Sequence, residues 1–231
     1  MSRGKQANGL ATQQNVLRGA VALFLEKGYA KTTTAEIARA AGIAQSSFFH
    51  VFPNKEALLL ELVKRMFGGQ FSLAERHSAD ADPVFLYAVE TSVQLNIAEL
   101  TEPLRELYVV GYTLPTTSEF IHKSTAKRLQ AIFGAYVPGA QLKDFYEMDI
   151  ASAGIMRGFM SVPCDVYFTM EAKVSRFLDC ALKLYDVPAE ARRAISDKVL
   201  KLDLRGMAQG IIQETIRQAE EGFDALPESD E

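Results

Sequence analysis

The fold of this chain is decided by the stretch TTAEIARAAGIAQSSFFHVFPNK, residues 33–55. Thr33, followed three residues later by Glu36, has the spacing of a capping box, in which each side chain satisfies a free backbone amide at the start of a helix. Gly42 ends that helix after two turns, and a second short helix spans about Gln45 to Phe52, where a proline stops it. Two short helices joined by a tight glycine turn predict a helix-turn-helix.

Helices are also predicted on both sides of this stretch. Before it, an apolar stripe with helical spacing runs from about Thr12 to Lys27, and Gly28 stops it. After it, Asn54 caps a fourth helix that runs from Lys55 past Phe67, and a pair of glycines then marks a kink or a change in the helix's role. The sequence therefore predicts a three-helix head that continues into a longer helix.

The two faces of the second short helix differ in chemistry. Phe48 and Phe52 can pack against the preceding helix, whereas Gln45 and Phe49 belong to a stripe that points away from that core. A glutamine amide can pair with the edge of adenine, small hydroxyls allow close approach to bases, and an exposed phenylalanine can contact thymine methyl groups. The alternative is that Phe49 packs into the core or a dimer. The residues predicted to face DNA bases are Gln45, Ser46, Ser47 and Phe49.

Phosphate contacts are predicted at the edges of the same motif. Lys55 combines a positive charge with the free amides of a helix start, and Thr34 lies at the matching start of the second helix. His50 flanks the base-facing stripe and is interpreted as a phosphate donor, because no nucleophile and acid are arranged around it for catalysis. A buried or idle His50 is the alternative.

Helical periodicity continues through the rest of the chain, without the alternation of half-buried strands, so the predicted fold class is all-α. The predicted helices cover about Pro83 to Glu99, Pro103 to Leu114, Thr117 to Tyr136, Leu142 to Met160, Val166 to Tyr185, and Ala189 to Glu221, the last bending near Asp203 to Gly206.

Composition and charge narrow the class of protein. The 231 residues, 48% hydrophobic and 23% charged, fit an ordinary globular protein, and no stretch approaches the roughly 20 apolar residues of a membrane span. A cytoplasmic protein is expected. The net charge of -4 combines +5 through Phe67 with -9 beyond it. A positive N-terminal part suits a nucleic-acid-binding end, although uneven surface charge without such a role is equally common.

The cysteines and histidines suggest neither a disulfide nor a metal site. Cys164 and Cys180 fit reduced, packed thiols, with a redox switch as the alternative, and the three histidines are scattered along the chain.

Leu17 to Leu59, reading LRGAVALFLEKGYAKTTTAEIARAAGIAQSSFFHVFPNKEALL, resembles the DNA-binding domain of the tetracycline-repressor (TetR) family. The resemblance implies an all-helical homodimer whose heads bind a palindromic double-stranded DNA operator and release it when a small-molecule effector binds the body. It implies three units: a DNA-binding domain at 1–67, ordered from about residue 12, a helical ligand-binding and dimerisation domain at 68–225, and an acidic tail at 226–231. Ala44, Phe49 and Val51 differ from the residues usual in the family at these positions. These differences imply fewer contacts to DNA phosphates, with the remaining ones made by Lys55 and by an N-terminal arm that carries Arg3 and Lys5.

The resemblance also assigns roles within the body, and it implies no cofactor. Aromatic and polar-tipped residues between the central helices are candidates for an effector pocket, although residues of this kind at helical spacing are more often core. Small residues on the helix at about Leu142 to Met160 would allow a close dimer contact, or they pack inside one subunit. The candidate pocket residues are Phe85, Tyr87, Tyr108, Tyr112, Phe120, His122 and Met156, and the candidate interface residues are Ala151, Gly154 and Gly158.

Two other classes of protein remain as rivals. An all-α enzyme could share this composition, but the chain has no Gly-x-Ser-x-Gly, His-Glu-x-x-His or Gly-x-x-x-x-Gly-Lys motif. We therefore expect no enzymatic activity. The second rival is a docking module that keeps the same head but does not bind DNA. Its binding to a partner would be unchanged by salt, whereas phosphate contacts predict a steep loss of affinity as the salt concentration rises.

Overall fold

A computed structural model describes the backbone of residues 3–77 and 82–221 and the side chains of residues 9–66 and 82–221. Within these ranges the chain forms helices and no strand, which confirms the predicted all-α class. The helices are α1 (Arg3–Lys27), α2 (Thr34–Ala40), α3 (Gln45–Val51), α4 (Lys55–His77), α5 (Pro83–Ala98), α6 (Glu102–Gly111), α7 (Pro115–Phe133), α8 (Leu142–Ser161), α9 (Met170–Leu184), α10 (Ala189–Val199) and α11 (Leu204–Glu221). The tail at 226–231 lies outside the described residues.

The head is built from α1, α2 and α3 around its own core. One stripe of α1, including Leu17 and Phe24, is fully buried against Phe48 of α3 and the start of α4. Gly28 ends α1 with a φ of +87°, a left-handed conformation that glycine adopts without strain. The prediction that the first helix begins near Thr12 was wrong, because α1 begins at Arg3. The described side chains at 9–11 are exposed, so an apolar pattern could not mark this extension.

Local side-chain caps fix the boundaries of the short helices, as predicted. The hydroxyl of Thr33 accepts from the Glu36 amide at 3.2 Å, and Glu36 Oε2 accepts from the Thr33 amide at 2.9 Å. Gly42 makes the turn with a φ of +70°. Asn54 Oδ1 accepts from the Ala57 amide at 2.7 Å and caps α4. These bonds satisfy backbone groups that a helix end leaves free, and they fix where α2 and α4 begin.

The body packs α5 through α11 around a second, larger core. Phe145, Phe177 and Tyr185 are fully buried there, and Phe133 stacks on Tyr185 with ring centroids 4.2 Å apart.

The sequence predicts a kink or a changed role for α4 at its glycine pair. The backbone shows no break there, because α4 continues as one helix to His77. The α4 helix contacts α5, α6 and α7, so it links the head to the body.

Two predicted boundaries in the body were wrong. Helix α9 begins at Met170 and not Val166, because Thr169 caps it and Asp165 accepts from the amides of Tyr167 and Phe168 in a turn. The predicted bent helix after Pro188 is two helices, α10 and α11, separated at residues 200–203. In each case the apolar pattern runs on while local hydrogen bonds divide the backbone.

The last helix, α11, packs along α5 and returns to α1 of the head. Ala219, near its end, is 4% exposed and belongs to the head core together with Phe24 and Phe48. The far end of the chain therefore contributes to the packing of the N-terminal domain.

No helix within the described ranges is long and apolar enough to cross a membrane. Both cysteines carry free thiols. Cys164 is half-buried, but Cys180 is exposed on α9, so the prediction of two packed thiols was wrong for Cys180.

Candidate functional site

Helix α3 presents a polar stripe to solvent. Gln45 and Ser46 are exposed, Ser47 is half-buried, and Phe48 on the opposite side is fully buried. The residue before α3 is Ala44, whose side chain makes no capping hydrogen bond. Seven residues make α3 about two turns long, enough to place three or four side chains in a major groove.

Phe49 stands out because it is an aromatic residue on this exposed stripe. It is 48% exposed, and its ring meets the buried Phe48 ring edge-on at a centroid distance of 5.4 Å. Within one protomer Phe49 therefore does not pack into the head core, the alternative that the sequence left open. One edge of its ring is held by Phe48, and the rest is available for an apolar contact.

Lys55 is held by the head itself. Its ammonium donates to the carbonyl oxygens of Tyr29 and Thr32, each at 2.8 Å, and lies 4.1 Å from the centroid of the Tyr29 ring. Burial lowers the pKa of Lys55, opposed by the charge of Glu106. An ammonium has three N–H donors, so one remains for a phosphate. The prediction of Lys55 as a simple phosphate contact was incomplete, because Lys55 first fixes the connection between α1 and α2.

The other predicted phosphate contacts lie at the rim of α3. His50 is exposed in its last turn, and Thr34 is half-buried in the first turn of α2. The exposure of His50 excludes the buried alternative for this side chain. The side chains of Arg3 and Lys5, the predicted arm, lie outside the described residues.

The cap of α2 is also an electrostatic feature. Lys27 of α1 donates to the Glu36 carboxylate, and this hydrogen bond, together with those from the amide and hydroxyl of Thr33, lowers the pKa of Glu36 to about 2. The negative charge lies in the first turn of α2, where the helix dipole favours it. Glu36 thus joins α1 to α2, the helix that precedes α3.

An acid-dependent loss of head stability follows from Glu36. Because its pKa is lower in the folded state, its contribution is complete above about pH 4.5 and is lost as the pH falls towards about 2. Between about pH 4.5 and 2, we expect the unfolding temperature, measured by circular dichroism, to fall less for Glu36→Gln than for the wild type. Glu26→Gln, an exposed glutamate of α1, is the control and should keep the wild-type profile. Identical acid profiles for Glu36→Gln and wild type would contradict this role.

Two neighbouring cavities lie beneath the head. The first, which we call the apolar chamber, has a volume of about 70 Å³ and is lined by residues of α1, α4, α5, α6, α7 and α11. The second, the polar chamber, has a volume of about 60 Å³ and lies between α5, α6, α7, α8 and α9. Gln94, Tyr112 and Ile121 line both. The Tyr112 hydroxyl donates to Gln94 Oε1 at 2.9 Å, so a hydrogen bond stands at the boundary between them.

Charged side chains line the polar chamber. Glu90 of α5 pairs with Arg128 of α7, and Asp149 of α8 is buried. Asp149 Oδ2 lies 2.7 Å from Nδ1 of His122. The Ser152 hydroxyl donates to Asp149 and accepts from the Tyr185 hydroxyl at 3.0 Å. These groups can orient a polar ligand by hydrogen bonding.

The predicted pocket residues divide into two groups. Tyr108 and Tyr112 line the apolar chamber, and Tyr87, Tyr112 and Met156 line the polar chamber. The walls of these two cavities in the described chain do not include Phe85, Phe120 or His122, so for these three a place in an effector pocket stays a prediction. Phe85 packs against the body core, Phe120 packs beside α4, and His122 acts one step away through Asp149.

The predicted interface residues share one face of α8. Ala151, Gly154 and Gly158 are exposed, whereas Ala153 is buried inside the protomer. A Cβ atom built on Gly154 or Gly158 would meet nothing within 4 Å in the described protomer, and Ile150 beside them is 48% exposed.

Contacts between head and body were missed by sequence reasoning. Glu106 of α6 accepts from the Ala30 amide at 2.7 Å, and its carboxylate lies against Gly28, where a Cβ atom would be 2.0 Å from Oε2. Glu56 of α4 accepts from the hydroxyl of Thr116 in α7. No short sequence pattern signals such pairs, because their partners lie 60 and 76 residues away.

The described part of the chain contains no cluster of three side chains that could together hold a metal ion.

The N-terminal part of the chain matches known regulators. Residues 16–62 match the family model described as bacterial regulatory proteins, tetR family. The chain is 33% identical over 69 residues to the uncharacterized HTH-type transcriptional regulator YvkB of Bacillus subtilis, covering 30% of this chain and 36% of that protein. It is 37% identical over 57 residues to the regulator YuxN of the same species, covering 25% of this chain and 20% of that protein. The matches thus span little more than a third of these relatives' lengths, or less.

Two solved structures resemble the whole chain more weakly. NalD of Pseudomonas aeruginosa, described as the secondary repressor of a multidrug efflux pump, is 18% identical with a TM-score of 0.35, covering 91% of this chain and 96% of that one. FadR of Thermus thermophilus, a TetR-family repressor in complex with lauroyl-CoA, is 20% identical with a TM-score of 0.29, covering 95% and 98%. The similarity that carries weight is therefore that of the head: residues 16–62 resemble the helix-turn-helix DNA-binding domain of the tetR family of bacterial regulatory proteins.

Proposed function

We propose that this protein is a ligand-responsive transcriptional repressor that binds a palindromic operator as a homodimer and is released by a small-molecule effector. The proposal assigns it no catalytic role and places it in the cytoplasm with its DNA. The observation that carries it is the division of α3 into a buried face at Phe48 and an exposed stripe at Gln45, Ser46 and Phe49.

That stripe has the chemistry for reading bases. The Gln45 amide can donate to and accept from adenine, and the exposed ring of Phe49 can contact a thymine methyl group. His50 at the rim and the amides at the starts of α2 and α4 would contact phosphates. The positive charge of the head and the negative charge of the body would orient the approach to DNA.

A homodimer is supported by the uncovered face of α8. Gly154 and Gly158 leave space that no group of the described protomer fills, and Ala151 and Ile150 border it. Small residues allow two helices to approach closely, and a two-fold dimer would present two recognition helices to successive half-sites of a palindrome. An effector site in the body is supported by the two chambers that lie between the head and α8.

A selection of DNA sequences by the purified protein at moderate salt tests the proposal. We expect enrichment of a palindrome, and an affinity that falls by about 10³ to 10⁵ between 50 and 200 mM salt if the dimer makes six to ten phosphate contacts. Gln45→Ala should relax preference at one base pair of each half-site, by about 1 to 3 kcal/mol, whereas His50→Ala should weaken all sequences alike.

Matched controls separate these effects from general damage. Gln209→Ala makes the same chemical change on the exposed side of α11 and should leave binding unchanged. Lys55→Ala is unsuitable as a phosphate variant, because it also releases the carbonyls of Tyr29 and Thr32. Failure to enrich any palindrome would overturn the proposed function, and equal sequence profiles for Gln45→Ala and His50→Ala would overturn the division of roles.

A further inference from the structure

The exposed stripe of α3 contains no acidic side chain, lysine or arginine. The whole helix reads QSSFFHV, residues 45–51, so these residue types are absent from its other faces as well. Arginine and lysine are the usual readers of guanine in the major groove, and aspartate or glutamate can accept from cytosine. The groups left on the stripe for contacts with bases are the amide of Gln45, the hydroxyl of Ser46 and the ring of Phe49. The largest of these groups is apolar.

Phe49 is held in place from inside the head. Its ring meets that of Phe48 edge-on, with an interplanar angle of 85°, and Phe48 is itself fully buried against Phe52 and the rest of the head core. Phe49 nevertheless remains 48% exposed. A ring that is already held in one position loses little freedom on binding, so a contact with DNA is not offset by a large cost of ordering it.

The major groove of B-DNA offers such a ring one kind of apolar group on its base edges. These edges present hydrogen-bond donors and acceptors, apart from the C5-methyl group of thymine. Phe49 has no hydroxyl with which to donate to a phosphate. The base 5-methylcytosine carries a methyl group on the same ring carbon, whereas uracil and cytosine carry a hydrogen there. An apolar contact at this carbon therefore separates thymine from uracil, and 5-methylcytosine from cytosine, within pairs that have the same Watson–Crick hydrogen bonds.

Gln45 and Phe49 are placed to read different base pairs. They lie one turn apart on the same face of α3, about 6 Å along the helix axis. Successive base pairs are about 3.4 Å apart, so a helix lying along the groove places the two side chains about two base-pair steps apart. A change at Gln45 should therefore leave the base contact of Phe49 in place.

From these observations we infer that Phe49 reads the C5-methyl group of a pyrimidine in the operator. Thymine or 5-methylcytosine at that position strengthens binding, and uracil or unmethylated cytosine weakens it. Methylation of cytosine at C5 is then a modification of the operator that the protein detects. This role of Phe49 rests on the proposed function, because α3 must enter the major groove. The proposed function does not require the methyl contact, since Gln45 and the phosphate contacts can select an operator without it.

The test compares duplexes that differ only in methyl groups. Binding of the protein is measured first to two random-sequence DNA libraries, one made with thymidine and one with deoxyuridine, and then to the selected operator with single thymines replaced by uracil. We expect one such replacement per half-site to weaken binding about fourfold, and both together about fifteenfold, the usual effect of losing the burial of one methyl-sized group in each half-site. At the same positions, 5-methylcytosine should bind more tightly than cytosine by the same factors.

The variants assign the effect to one side chain. Phe49→Ala, measured at a salt concentration at which it still binds, should bind the thymine and uracil operators alike, which also removes any effect of the methyl group on DNA shape. Gln45→Ala and Gln209→Ala should keep the wild-type difference.

Three results would contradict this role. Equal wild-type binding to the thymine and uracil forms of a selected palindrome overturns the methyl contact and leaves the proposed function intact. A difference that persists in Phe49→Ala shows that another group reads the methyl. Binding to neither library overturns the proposed function and the methyl contact together.

Discussion

Replacing Phe48 by alanine is expected to lower the free energy of unfolding by about 3 to 5 kcal/mol, the usual range for removing a buried phenylalanine. Phe48 is fully buried at the centre of the head core, and its ring lies 6.2 Å from that of Phe52. Its loss leaves a cavity between α2, α3 and the start of α4. Denaturant titration followed by circular dichroism should show the loss, and operator binding should fail with it.

The neighbouring residue provides the matched control. Phe49 is of the same type but half-exposed, so Phe49→Ala should cost no more than about 1 kcal/mol, mainly the edge-on contact with Phe48. DNA affinity should nevertheless fall, because the variant removes a groove-facing surface from a folded head. Equal losses of stability in the two variants would contradict the division of α3 into a buried and an exposed face.

Lys173→Ala is expected to destabilise the body by about 3 to 5 kcal/mol, because it breaks a buried ion pair and leaves one partner behind. Lys173 of α9 is fully buried, and its ammonium donates to Glu99 Oε1 at 2.5 Å and to the Val162 carbonyl. Glu99 also accepts from Arg105 and from the Cys164 amide. Lys173 therefore joins the end of α5, the segment after α8, and α9. Denaturant titration measures the loss.

The charge of Glu99 decides the size of this effect. Burial alone would raise the pKa of Glu99, but the hydrogen bonds from Lys173 and the Cys164 amide, and the nearby positive charges, lower it overall. Lys173→Met keeps the apolar stem and should lose less stability than Lys173→Ala. Adding Glu99→Gln to Lys173→Met should recover part of the loss, since no unpaired carboxylate remains. Full stability in Lys173→Ala would show that this pair does not hold the three segments together.

Much of the head could be predicted from sequence. Thr33 and Glu36 cap α2, Gly42 makes the turn, and Asn54 caps α4, each through groups within a few residues of one another. Such interactions depend on local spacing alone, so the sequence contains them directly. The same dependence on local spacing explains why the sequence predicted the exposed stripe of α3 at the residues where the structure shows it.

The internal sites of the body were only partly predictable. The sequence identified Tyr87, Tyr108, Tyr112 and Met156, which line the chambers, but also Phe85, Phe120 and His122, which do not. All seven are apolar or amphipathic residues on helices, and helical spacing separates a core-facing side from an exposed one but not a packed position from a cavity wall. Which buried side chain meets empty space depends on how several helices cross.

By itself, the sequence determined the all-α class, the helix-turn-helix and the residues that face away from its core, since caps, glycine turns and apolar periodicity act over short distances. Only the tertiary structure placed the Lys55 ammonium on the carbonyls of Tyr29 and Thr32, Glu106 beside Gly28, and Ala219 in the head core. It alone produced the apolar chamber. These contacts join residues tens to nearly two hundred positions apart, and they form because many side chains pack together at once, which no short stretch of sequence specifies.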